Sequence, residues 1–114
     1  MNNIILVHEP IEITKLKELA EHSFSKLVKA VIDIEKEIMV IGGELHADEE
    51  ELLLKNNSKQ DNLWGINIYP SENKENRIEF DSIINIRYYN KSRYIENPEI
   101  REKIIKIVNK LIID

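Results

Sequence analysis

Glu44, His46 and Asp48 stand at alternate positions in the run Ile41–Gly42–Gly43–Glu44–Leu45–His46–Ala47–Asp48, where an apolar strand gives way to a helix. In a strand, alternate side chains share a face. Glu44 and His46 are therefore expected to point with Ile38 and Val40 toward the interior. Titratable groups aimed at a core need partners, and such groups often mark a site. Imidazole with carboxylates suits zinc, manganese or iron. Glu44, His46 and Asp48, with Glu49 beside them, are thus the candidate metal ligands, and Glu44 with His46 the acid–base pair of a small metal-assisted hydrolase. Against this, the chain has no His-Glu-x-x-His motif and no second histidine near His46. Asp48 and Glu51 have the spacing of a helix capping box, and His46 has a plain alternative in a hydrogen bond to a carbonyl or to Glu44. No cofactor is expected, and a divalent metal remains the alternative.

Two further groups carry possible chemistry. Asn67, Asn85 and Arg87 fall on the face opposite the core in the last two strands, and amides are poor strand formers. They suit cross-strand hydrogen bonding, or a polar ligand whose carboxylate or phosphate Arg87 holds. Tyr88, Tyr89 and Tyr94 interleave with Arg87, Lys91 and Arg93, a pattern that fits stacking of single-stranded bases and so a nucleic-acid-associated regulatory role. Gly42–Gly43 lacks the long glycine pattern and the lysine of a phosphate loop; it is expected to mark a bulge or the close approach of another backbone.

The elements that must position these groups read clearly. Ile4–Val7 is a short strand ended by Pro10, and Thr14 caps a helix whose stripe is Leu16, Leu19, Ala20, Phe24 and Leu27. Val28–Ile34 and Ile38–Leu45 form a hairpin around a three-residue loop, pairing Ile34 with Ile38, Ile32 with Val40 and Ala30 with Gly42. A short helix begins at Asp48. Trp64–Tyr69 and Ile78–Tyr88 alternate as strands, with Trp64 a core anchor. Asn97 caps the last helix and Pro98 fits its first turn; Ile100, Ile104, Ile107, Val108, Leu111 and Ile112 repeat at helical spacing. The order β-α-β-β-α-β-β-α predicts an α+β fold, a mostly antiparallel sheet with helices on one face.

Length bounds the rest: 114 residues make one domain, 1–114. No apolar run approaches the roughly 20 residues of a membrane helix. The absence of cysteine excludes disulfides and thiolate chemistry and points to the cytoplasm. The net charge of −5 disfavours nucleic acid as a partner. Residues 1–63 carry 13 acids against 7 bases and residues 87–114 carry 4 against 7, so the two ends have opposite sign. Together with an uncovered sheet face bearing Ile83, Asn85 and Tyr89, this suggests a homodimer.

The segments Val28–Asp33, Gly42–Asp48, Leu63–Pro70 and Ile84–Arg87 resemble a small family of bacterial and archaeal proteins of about this length, a domain of unknown function. The resemblance implies a single intact domain and carries no activity, substrate or catalytic residue with it. The reading that follows is a binding or interaction module with a polar site at the Gly42–Asp48 strand end, taking a small polar ligand through Glu44, His46, Asn67, Asn85 and Arg87.

Overall fold

The computed structural model describes residues 4–23 and 26–114. Its elements are β1 (Ile5–Val7), β2 (Ile11–Glu12), α1 (Ile13–Glu21), β3 (Val28–Asp33), β4 (Ile38–Ile41), α2 (His46–Lys55), β5 (Leu63–Ile68), β6 (Ile78–Glu79), α3 (Pro98–Leu111) and β7 (Ile112–Ile113). Five strands form an antiparallel sheet in the order β1-β4-β3-β5-β6, and β2 and β7 pair in parallel as a separate two-stranded unit. The α+β class and the mostly antiparallel sheet are those the sequence predicts. The α1 stripe residue Phe24 lies outside the described residues.

The sheet divides the core in two. Ala30, Ile32, Met39, Ile41, Trp64, Ile66 and Ile68 pack on one face against Leu16 and Ala20 of α1 and Ile104, Ile107, Val108 and Leu111 of α3. Val31, Val40 and Leu63 point to the second face, where Leu53 of α2 covers them. Helical cover therefore extends to both faces. This removes one premise of the dimer expectation, because Asn85 is buried beneath that cover.

Three local expectations change. The β3–β4 hairpin pairs Asp33 with Ile38, Ile32 with Met39 and Ala30 with Ile41, one residue out of the expected register. The cause is Asp33. Its Oδ1 accepts the backbone N–H groups of Glu35 and Lys36, both at 2.9 Å, and closes a four-residue loop. Glu37 takes a left-handed φ of 57° in that loop, and its carboxylate accepts Lys110 Nζ at 2.7 Å. Second, α2 begins at His46 with Leu45 before it and no side-chain cap, so Asp48 lies inside the first turn and is not the cap. Third, the expected strand Ile78–Tyr88 pairs only at Ile78–Glu79 and then turns away through a short 3-10 segment, Ile83–Asn85.

The last helix follows its sequence signature: Asn97 Oδ1 accepts the Glu99 N–H at 2.8 Å and Pro98 opens the first turn. Ile104→Asp places a charge where no water reaches, which costs more than the stability of a typical small domain can absorb. Loss of the cooperative thermal transition is expected; a melt near that of the wild type would remove α3 from the core.

Candidate functional site

Register places a polar row across four strands of the second face. Asn67 pairs with Lys29 on one side and Glu79 on the other, and Gly42 donates its N–H to the Lys29 carbonyl at 3.3 Å. Cross-strand partners share a face, so Gly42, Lys29, Asn67 and Glu79 line up beside the N-terminal turn of α2. Gly42 takes a φ of 86°, ending strand alternation. As a result Glu44 and Leu45 turn outward and both are exposed. The expectation that Glu44 points inward with Ile38 and Val40 fails here, since the register shift and the Gly42 turn each change its direction.

His46 is half-buried, and its Nε2 lies 2.7 Å from the carbonyl of Ile66. A carbonyl only accepts, so Nε2 carries the proton and Nδ1 keeps a lone pair. Burial lowers the His46 pKa, opposed in part by the Ile66 carbonyl. The imidazole is neutral at physiological pH and is poised to accept a hydrogen bond.

The most unusual group is Glu49, one helical turn after His46 and fully buried. Its Oε2 accepts the Gly43 N–H at 2.8 Å, while Oε1 has no partner. Burial pushes its pKa up to about 9, with the Gly43 hydrogen bond acting in the opposite direction. Gly43 is required at this contact, because a Cβ there would meet Glu49 Cγ at 2.8 Å. The Gly42–Gly43 pair thus marks a close approach, to a side chain and not to another backbone.

Asn67 donates its Nδ2 to Glu79 Oε1 at 2.8 Å and to the Asp81 carbonyl at 3.2 Å, but its buried Oδ1 has no partner. Asp81 forms an ion pair with Arg93 at 2.8 Å. Both charges act on His46, which puts that pair at the same end of the sheet.

Two expected site residues serve the fold instead. Asn85 Oδ1 accepts the Gly65 N–H at 2.8 Å, and its Nδ2 donates to the Gly65 carbonyl at 2.9 Å and the Arg93 carbonyl at 3.0 Å. It is fully satisfied and has nothing left for a ligand. Arg87 donates to the Leu63 carbonyl at 2.6 Å and stacks over the Trp64 ring, 3.9 Å from its centroid, a cation–π contact. That use also withdraws Arg87 from the tyrosine-rich surface, where Tyr88 is 89% exposed beside Lys91. Among the described residues no three histidine, aspartate or glutamate side chains gather as a metal site; Glu44, His46 and Asp48 do not converge.

A folded-state pKa raised above the ordinary carboxylate value means that folded Glu49 holds a proton the unfolded chain has released. Stability then falls as pH rises from about the ordinary carboxylate value toward the raised one, by up to about 1.4 kcal/mol per pH unit. Glu49→Gln keeps the shape and the neutral amide-like hydrogen bonding without the proton. It is expected to raise the melting temperature, with a gain that grows from about pH 5 to about pH 9. A gain independent of pH, or a loss throughout, would show that the buried group is ionised.

No helix among the described residues is long and apolar enough to cross a membrane. No curated protein and no solved structure matches the chain. A family model does, over residues 5–111, which takes in every element from β1 to α3. The chain belongs to the family described as Protein of unknown function (DUF5674).

Proposed function

We propose that the domain is a binding module for a small polar ligand, recognised on the row Lys29–Asn67–Glu79 beside the first turn of α2. The observation that carries this reading is the pair of buried polar atoms without partners, Asn67 Oδ1 and Glu49 Oε1. A buried polar group left unsatisfied costs roughly 1–3 kcal/mol, and fold stability alone gives no reason to keep two of them together. Around them stand an acceptor on His46 and charges of both signs on Lys29, Glu79, Asp81 and Arg93. That mixture suits a ligand with both donors and acceptors more than a simple anion or cation. A cytoplasmic setting belongs to the same proposal, supported by a fold held without disulfides.

The test is a nuclear magnetic resonance screen with amino acids, carboxamides and nucleosides as probes, paired with Asn67→Val. Shifts at the amides of Lys29, His46, Asn67 and Glu79 are expected for at least one probe class and should vanish in the variant. The variant itself should melt within a few degrees of the wild type, because site residues often contribute little to stability. A loss of more than about 2 kcal/mol in Asn67→Val, or probe shifts confined to other surfaces, would assign Asn67 to the fold and end this reading.

A second observation favours self-association as the module's other property. Ile83, Ile86, Tyr88 and Tyr89 lie exposed within one short segment, and clustered exposed apolar residues mark interaction surfaces. Sedimentation at high micromolar concentration is expected to give twice the monomer mass, falling to monomer in Ile83→Asp. A monomer in the wild type contradicts it.

A further inference from the structure

Arg77 is buried to 2% exposure, far from the polar row on the second face. Its Nη1 donates to Asp114 Oδ1 at 2.7 Å and its Nη2 to Asn109 Oδ1 at 3.3 Å, while Nε has no partner. Lys74 Nζ lies 3.9 Å from the other Asp114 oxygen. Asp114 itself is 48% exposed and follows β7 directly. Burying a guanidinium is costly unless its partner is equally well held. Here the anionic partner stands half in water and outside residues 5–111, the span of the family match.

A cleft of about 360 Å³ opens beside this group, lined by Lys74, Glu75, Ile78, Phe80, Ile105 and Asn109. Three of those side chains are apolar. Lys74 and Asn109 belong to both the cleft wall and the Arg77–Asp114 cluster. The volume is at the small end of ligand cavities, which suits a small molecule more than a protein surface. At the mouth, Lys74 and Arg77 outnumber the single acid Glu75 by one positive charge, and Asp114 neutralises it. The space therefore has an apolar body, a cationic end and room at that end for one carboxylate. A guanidinium is well matched to such a group because its planar donors meet both oxygens.

We propose that this cleft binds a small carboxylate with an apolar body, its charge taken by Arg77, Lys74 and Asn109, and that Asp114 fills the anion position when no ligand is present. Asp114 is then an internal competitor, and removing its charge makes the site more available. This site shares no residue with the polar row, so the two proposals stand or fall separately.

The probe is octanoate, titrated into the full chain and followed by nuclear magnetic resonance, with octanol as the uncharged counterpart and acetate as the charge without the body. Saturable shifts at Ile78, Phe80, Ile105 and Asn109 are expected for octanoate, with binding at least tenfold weaker for the other two. Asp114→Asn should tighten octanoate binding threefold or more. Lys74→Ala, at an exposed position that leaves the fold intact, should weaken it by a similar factor. The proposal is overturned if octanoate shifts none of the lining residues, if octanol binds as tightly, or if Asp114→Asn leaves the affinity unchanged.

Discussion

The second face of the sheet is covered at a distance that only glycine permits. A Cβ on Gly65 would lie 2.6 Å from Ser82 Cβ, and one on Gly43 would lie 2.8 Å from Glu49 Cγ. Contacts this short cannot be relieved by a flexible side-chain end where the opposing atom sits near the backbone, as at Ser82. Two chain segments are therefore pressed onto the sheet, the 82–85 turn at Gly65 and the first turn of α2 at Gly43. At Gly65 the compression is answered by hydrogen bonding: the Asn85 amide takes both the N–H and the carbonyl of the glycine, as a neighbouring strand would. At Gly43 the answer is incomplete, because one carboxyl oxygen of Glu49 bonds the glycine N–H and the other is left alone.

That difference separates scaffold from candidate site. Asn85 and Asn90 are buried amides with their donors and acceptors occupied: Asn90 Nδ2 serves the carbonyls of Asn85, Ser92 and Tyr94, and its Oδ1 accepts the Glu96 N–H. Satisfied buried networks of this kind fix a unique loop path. Glu49 and Asn67 are buried to the same degree but retain unused atoms. Dry surroundings keep Glu49 neutral and His46 neutral, so the centre of the polar row offers hydrogen bonds without net charge, and charge appears only toward its edge. Arg77 is the opposite solution on the other side of the molecule, a cation that stays charged and draws a carboxylate to it.

How much of this was legible in the sequence follows from the range of each signal. The last helix was readable because its cap, its first-turn proline and its isoleucine stripe are all local. The antiparallel sheet was readable from alternation and short connections. The hairpin register was not, since it turns on one side chain, Asp33, capping the loop it precedes. The strand expected over Ile78–Tyr88 alternates well on paper. It is broken because Ser82, Asn85 and Asn90 hydrogen-bond to backbone that is distant or folded back, which no periodicity reports. At the site, the run Gly42–Asp48 located the right place and His46 the right residue. Glu44 was assigned by extending strand alternation through a glycine that ends it. Glu49 was passed over amid four consecutive acids, although it stands one turn before Leu53 on the same helix, and that spacing marks it as the acid on the buried face.

The account rests on Glu49 being a neutral, buried acid held against Gly43. Selective carbon-13 labelling of the glutamate side-chain carboxyls, with Glu49→Gln to assign the resonance, reports its protonation directly. The account predicts a protonated carboxyl signal through neutral pH that titrates near about 9. A carboxylate signal at neutral pH, titrating in the ordinary range for glutamate, would contradict it.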